Sequence, residues 1–285
     1  MGAIQPSFHD WFRRHQDELD ALVCDIDGVL AAGGAPLPGS RDFVRELRSA
    51  QFPIALLTND GNHSVAEKAR FLNRHGFDFR EEEITSCADG LVEAVRAAGL
   101  AGQLFFIVGD LGEPCFAAKA GLRTTRDLAR LPECAGVIVG EENYDWAAVI
   151  NGVLNFFIRN PAKPFFVPNP DEYYPARGGT INIAAGGVAR FIQRVAATYG
   201  VSSLNPVYLG KPYQPIFAHS HAALEGRLGH RLRRHRVLML GDSLAADIQG
   251  ANDFGYRSGL LLTGITREQH LPAHPSKPEL VFRGF

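Results

Sequence analysis

Asp25 and Asp27 stand two positions apart at the end of the apolar run Leu22–Cys24, and Gly28 follows them. On a strand, residues i and i+2 project to the same side, so the two carboxylates meet there. Adjacent anions repel unless a cation or a shared proton compensates. Taken alone, the segment admits two readings: acids that cap loops, or acids that share a cation or a proton. Three further strand ends bear on the choice. The apolar run Ile54–Leu57 closes on the hydroxyl of Thr58 and the amide of Asn59, both able to bind phosphate oxygens. Lys211 stands just before a helical stretch beginning Tyr213-Gln214-Pro215, and Val237–Gly241 runs into Asp242, followed by Asp247. Each has a plain structural reading on its own: helix cap, solvated charge, turn residue. Jointly they supply a nucleophile, a phosphate grip, a counter-charge and a metal ligand, the parts a phosphoryl-transfer site needs.

Such residues act together only if strands align their ends, which an open parallel sheet does at its carboxyl edge. The sequence predicts strands at Ala21–Asp25, Ile54–Thr58, Arg236–Leu240 and Gly259–Leu262, alternating with helical periodicity, the pattern of an α/β chain. Helices are expected over Ser7–Leu19, over Asp145–Phe157 with Trp146, Val149, Ile150, Val153, Leu154 and Phe157 on one face, and along Val188–Tyr199. Prolines and glycines crowd Phe165–Gly187, which predicts a long shaped loop, and the proline-bearing tail from Gly264 reads as loop. Lys211 lies 153 positions after Thr58. Two βα units need only about 60 residues, which leaves an excess of roughly 90, the size of a small domain. The expected organisation is therefore a doubly wound, Rossmann-like parallel sheet formed by residues 1–100 and 205–285, with an α/β cap domain inserted at 101–204.

The chain has 285 residues, 46% of them hydrophobic and 21% charged, with a formal net charge of −2. That balance fits a globular chain and supplies no basic field for nucleic acid or an anionic membrane. Its four cysteines show no Cys-x-x-Cys spacing, no apolar run reaches membrane-spanning length, and the segment through Leu19 lacks a secretory pattern. A cytoplasmic protein without nucleic-acid or membrane partners is expected. Other motifs carry no site: Pro212 stands where a Walker loop needs Ser or Thr, His219 and His221 diverge on a helix, Arg231–Arg236 reads as a short solvated run, and Cys24 as a small buried hydrophobe.

The set Asp25-Ile-Asp27-Gly28, Thr58-Asn59, Lys211 and Gly241-Asp242 through Asp247 resembles the haloacid dehalogenase-like superfamily. More narrowly, Pro38-Gly39, Asn169-Pro-Asp171 and Gly210-Lys211-Pro212 look like its NagD-type branch of phosphatases. The resemblance runs from about Ala21 to Leu262. It implies that Asp25 is the nucleophile and Asp27 the general acid and base. It implies Mg²⁺ held by Asp25, Asp242 and the Asp27 carbonyl, with Asp247 orienting its waters, and phosphate gripped by Thr58, Asn59 and Lys211. It also implies a small-molecule phosphate ester as substrate and a homodimer paired through the cap. Two positions depart from the branch pattern: Asp60 replaces a usual Asn, and Ala246 replaces a frequent Thr.

The expected activity is Mg²⁺-dependent hydrolysis of a phosphate monoester. A phosphotransferase or mutase would use the same aspartyl-phosphate, and a non-catalytic phospho-ligand module need not keep the whole set Asp25, Asp27, Lys211 and Asp242. A dehalogenase has no use for the acid at Asp27. Substrate choice is expected from the cap segment Asn169–Gly187, with Asn169, Asp171, Tyr173, Tyr174 and Arg177 as candidates.

Overall fold

A computed structural model describes residues 4–175 and 180–285. In chain order the strands are β1 (Ala21–Cys24), β2 (Ala31–Ala32), β3 (Ala35–Pro36), β4 (Ile54–Thr58), β5 (Ile84–Ser86), β6 (Leu104–Val108), β7 (Arg123–Thr125), β8 (Gly136–Val139), β9 (Phe165–Val167), β10 (Tyr173–Pro175), β11 (Ile181–Ile183), β12 (Val207–Tyr208), β13 (Val237–Gly241), β14 (Arg257–Leu261) and β15 (Leu280–Phe282). The α-helices are α1 (Phe8–His15), α2 (Ser40–Ser49), α3 (Val65–Arg74), α4 (Gly90–Ala97), α5 (Phe116–Lys119), α6 (Trp146–Arg159), α7 (Ala185–Tyr199), α8 (Gln214–Leu228) and α9 (Gln249–Phe254). The chain is α/β. It divides into two compact units, one formed by residues up to Thr58 with Lys68–Thr85 and Lys211–Phe285, the other by Asn59–Glu67 and Ser86–Gly210.

The first unit is built on a six-stranded sheet in the order β15-β14-β13-β1-β4-β5. β1 pairs in parallel with β13 on one side and β4 on the other, and β13–β14 and β14–β15 are parallel as well. Every residue of β1, β4 and β13 is buried, as expected of central parallel strands covered on both faces. The chain winds outward through β4 and β5, then returns to β13 and winds the other way. β1 and β13 therefore flank the point where strand order reverses, the usual location of a ligand crevice. On α2, Phe43, Val44 and Leu47 are buried, one apolar stripe at helical spacing.

The second unit has its own parallel sheet, ordered β12-β9-β8-β6-β7, plus the antiparallel hairpin β10–β11. Its strand order also reverses, between β6 and β8. The longer segment of this unit runs from Ser86, and Leu91 and Val95 of α4 pack in one cluster with Phe105, Ile107, Phe116 and Leu209. Asp145 caps α6, accepting from Ala148 N at 2.7 Å.

Three expectations need correction. Phe165–Gly187 is not one long loop, because Tyr173–Pro175 pairs with Ile181–Ile183 and α7 already starts at Ala185. The tail is not all loop either, since Leu280–Phe282 adds a parallel edge strand to β14. Trp146 sits on α6 but is 42% exposed, so the buried face is carried by Val149, Ile150, Val153, Phe156 and Phe157 instead. Among the described residues no helix is long and apolar enough to cross a membrane, and all four cysteines are free thiols.

Candidate active site

Asp25 follows the last residue of β1, Asp242 follows the last residue of β13, and Thr58 is the last residue of β4. Because β13, β1 and β4 are adjacent and parallel, their ends bring these three groups to one edge of the first unit's sheet. Asp25 and Thr58 are buried, whereas Asp27 is exposed. The turn between them is tight: Leu30 N and Ala31 N both donate to Ile26 O. Gly28 sits there at φ +78°, and a Cβ on it would lie 2.2 Å from Asp242 Oδ2. Glycine is therefore required both by backbone and by space.

Lys211, only 1% exposed, places its Nζ 3.0 Å from Asp25 Oδ2 and 2.6 Å from Asp247 Oδ1. Asp247 uses its other oxygen to accept from Asp242 N at 3.1 Å and Ser243 N at 3.0 Å. Asp242 Oδ2 accepts from Ile265 N at 2.6 Å, and Asp25 Oδ1 from Ile26 N at 2.7 Å. Burial pushes the Asp25 carboxyl well up, opposed by Lys211 and reinforced by Asp247, Asp242 and Asp27. Burial and the Asp247 charge push Asp242 up to about 7. Lys211 stays protonated, since Asp247 and Asp25 outweigh the cost of burying its charge.

Carboxylate oxygens of Asp25, Asp242 and Asp247 all lie within 4.8 Å of one another. Asp27 adds its charge to Asp25 and Asp242, while Lys211 pairs with Asp25 and Asp247. The donor set is hard oxygen with an excess of negative charge, which suits Mg²⁺. Both Asp247 oxygens are already engaged, one by Lys211 and one by backbone N–H groups. Asp25 is engaged too, by Lys211 and Ile26 N, and Asp242 by Ile265 N, and the carboxylate oxygens of both keep lone pairs that an ion could use.

The remaining candidates belong to the second unit. Asn59 Nδ2 donates to Asp171 Oδ2 at 3.1 Å, and Asp171 N donates to Asn169 Oδ1 at 2.9 Å. Tyr174 Oη donates to Glu142 Oε1 at 2.7 Å, and burial with that contact pushes the phenol up to about 12. Tyr173 is 45% exposed, and Arg177 lies outside the described residues.

A haloacid dehalogenase-like hydrolase family model matches residues 22–123, and a second, HAD-hydrolase-like model matches 208–285. The chain belongs to the haloacid dehalogenase-like hydrolases. This hydrolase is 27% identical over 266 residues to the ribonucleotide monophosphatase NagD of Escherichia coli K12, covering 92% of its own chain and 94% of that protein. A possible sugar phosphatase of the same superfamily from Cytophaga hutchinsonii superposes with a TM-score of 0.83 at 24% identity, covering 100% of this chain and 98% of that one. A glycerol phosphate phosphatase from Mycobacterium tuberculosis, solved in complex with magnesium, gives a TM-score of 0.74 at 23% identity over 93% of this chain and 75% of that one. The same M. tuberculosis protein has also been solved with calcium.

The two departures from the branch pattern have local accounts in this hydrolase. Asp60 shapes the loop after Asn59: its Oδ1 accepts from Asn62 N at 2.8 Å and His63 N at 3.2 Å, and Oδ2 pairs with His63 Nδ1 at 3.0 Å. Ala246 is buried, and its N donates to Ser243 Oγ at 3.2 Å, in the turn that presents Asp247. Sequence reasoning missed Glu141, a buried acid in the second unit whose carboxyl burial pushes up to about 7. A cue was present, because Gly136–Val139 runs into Gly140-Glu141 much as Val237–Gly241 runs into Asp242.

Proposed function

We propose that this hydrolase is a Mg²⁺-dependent phosphatase that cleaves small phosphate monoesters through an aspartyl-phosphate on Asp25. The observation that carries the reading is the contrast between Asp25 and Asp27. One is buried and held by Lys211, the other is exposed two residues later on the same strand end. That contrast divides the work. An Asp25 oxygen attacks phosphorus as the ester P–O bond breaks, and Asp27 gives its proton to the departing alkoxide. Asp27, now ionised, takes a proton from water as the water oxygen attacks the same phosphorus, releasing phosphate and restoring Asp25. Thr58 and Lys211 hold the phosphoryl oxygens, and Asn59, next in the chain after Thr58, adds its amide. Mg²⁺, held by Asp25, Asp242 and the Asp27 carbonyl, would supply positive charge against the phosphoryl oxygens, with Asp247 fixing its surroundings.

The relatives support the reaction class, since they are named as a ribonucleotide monophosphatase, a possible sugar phosphatase and a glycerol phosphate phosphatase. We assign the unit formed by Asn59–Glu67 and Ser86–Gly210 the role of the family's cap, with Asn169, Asp171, Tyr173 and Tyr174 as its specificity candidates. A panel of sugar phosphates, nucleotides, phosphoglycolate and pyridoxal phosphate, assayed for phosphate release with Mg²⁺, tests the proposal. Release from none of them would defeat it. Transfer to an added alcohol in preference to water would convert the reading to a phosphotransferase.

A further inference from the structure

Glu141 lies where the second unit's strand order reverses, just past β8, and Asp110, just past β6, bridges to it through its backbone. Its side chain is buried and stands outside the acid cluster, and it was not among the residues named from sequence. Three N–H donors converge on its two oxygens. Asn169 Nδ2 reaches Oε1 at 2.7 Å and Ala185 N, at the start of α7, reaches it at 3.1 Å, while Asn62 Nδ2 reaches Oε2 at 3.0 Å. From Asn169 the connection continues through Asp171 N and then Asp171 Oδ2 to Asn59 Nδ2. From Asn62 it returns to Asn59 along three residues of chain. The result is a closed ring, Glu141–Asn169–Asp171–Asn59–Asn62–Glu141, all within one compact unit.

The loop that carries Glu141 is held in an uncommon backbone to reach this position. Glu142 and Asn143 follow at φ +57° and +48°, and a Cβ on Gly109 would lie 2.3 Å from Glu141 O. Left-handed backbone at a non-glycine residue is costly and survives where surroundings over-determine it. Nothing about the sheet itself needs a buried acid here. The ring does, because an anion is the group that can accept all three donors at once.

We infer that Glu141 is a positioning residue that fixes the carboxamide of Asn59 for phosphate through Asn169, Asp171 and Asn62. The inference rests on Asn59 gripping phosphate, as proposed above. It also reassigns Asp171: its carboxylate orients Asn59 rather than selecting the leaving group.

Glu141→Gln keeps the shape and removes one acceptor. If its oxygen faces Asn169 and Ala185, its NH₂ meets the NH₂ of Asn62, and one arm of the ring opens. The probe is inorganic phosphate, titrated calorimetrically into the wild type, Glu141→Gln, Asn62→Ala, Asn59→Ala and the double variant Glu141→Gln/Asn59→Ala, with Mg²⁺ present. Loss of one charge-assisted bond predicts about tenfold weaker phosphate binding for Glu141→Gln, and a smaller loss for Asn62→Ala. The double variant should bind no more weakly than Asn59→Ala alone, since residues on one path are non-additive. Wild-type affinity in Glu141→Gln, or losses that multiply in the double variant, would overturn the inference. Turnover of 4-nitrophenyl phosphate is measured in parallel. A wild type that binds phosphate but releases none from this ester defeats the catalytic reading, and the binding comparison still decides the role of Glu141.

Discussion

Lys211 Nζ lies 3.0 Å from Asp25 Oδ2, and both groups are buried at the edge of the first unit's sheet. The same ammonium is closer to Asp247, at 2.6 Å, so its charge is shared and Asp25 is left among acids it cannot fully offset. Asp25→Asn should therefore end turnover without weakening the fold. In chelator its unfolding free energy should fall within about 1 kcal/mol of wild type or above it. Urea titration and a turnover assay check the two halves. Near-normal turnover would remove Asp25 as nucleophile.

Asp27 shares the strand end but stands in solvent. Its replacement by Asn should slow both half-reactions, each by about 10²–10⁴-fold. With 4-nitrophenyl phosphate the leaving group needs little acid help, so formation of the phosphoenzyme should suffer less than its hydrolysis. Acid quench followed by intact-mass measurement should find one added phosphate on Asp27→Asn and none on Asp25→Asn. Phosphate on the Asp25→Asn protein would reverse the two roles.

Gly28 is the backbone hinge between these acids and Asp242. At φ +78°, with Asp242 Oδ2 2.2 Å from the site of any Cβ and Gly264 Cα 3.0 Å from it, Gly28→Ala meets strain and collision together. The expected loss is at least about 2 kcal/mol of stability, from left-handed backbone plus overpacking. Asp242 must also shift, so Mg²⁺ binding should weaken. Denaturant unfolding and Mg²⁺ titration measure these, and a variant matching the wild type in both would show that the turn can relax.

Clustered acids in the first unit also predict a metal-dependent stability. An ion held by Asp25 and Asp242 binds only the folded chain, and a hundredfold excess over Kd contributes roughly 3 kcal/mol. Mg²⁺ should raise Tm, chelator should reverse the rise, and turnover should follow the same titration. Ca²⁺ should bind yet support turnover poorly, because its longer bonds and looser coordination misplace Asp25 relative to phosphorus. Full turnover in chelator would exclude the metal from the reaction.

How much of this was legible in sequence depends on how local each signal is. Asp25, Asp27, Thr58 and Asp242 each stand at the end of a continuous apolar run, so the doubly wound parallel sheet was legible, while the strand order came from the structure. Lys211 was found the same way, ahead of α8. Glu141 follows an apolar strand too, but an acid past a strand end is also common in exposed turns, so the position alone does not mark it. Its importance depends on Asn62, 79 positions away, and Asn169, 28 positions away, which no window of sequence brings together. The β10–β11 hairpin was hidden for a different reason. The prolines and glycines around it are strong turn formers, and three-residue strands leave too short a period to detect against them.

Glu141 carries the most direct prediction about pH. Its carboxyl titrates near 4.5 when unfolded and is pushed up to about 7 in the fold, chiefly by burial, against the bonds from Ala185 N, Asn169 and Asn62 and with the Asp60 charge adding to the rise. Below pH 4.5 both states hold the proton and the group is neutral to stability. Between 4.5 and 7 the unfolded chain gives up its proton while the folded chain keeps it, so stability falls as pH rises. Above 7 the full cost remains, roughly 3 kcal/mol. Glu141→Gln cannot ionise and escapes that cost, though it loses one hydrogen bond worth about 1–3 kcal/mol. The variant should therefore be no more stable than wild type at pH 5 and should gain on it by roughly 2–3 kcal/mol by pH 8. Urea titrations of both proteins at pH 5, 6, 7 and 8 give the difference directly, and Asp25 and Asp242 titrate in both, so their contributions largely cancel. A difference that does not change with pH would mean that Glu141 is not held as a costly buried anion. A rising difference joined to weaker phosphate binding would mean that the chain gives up stability at neutral pH to keep Asn59 in place.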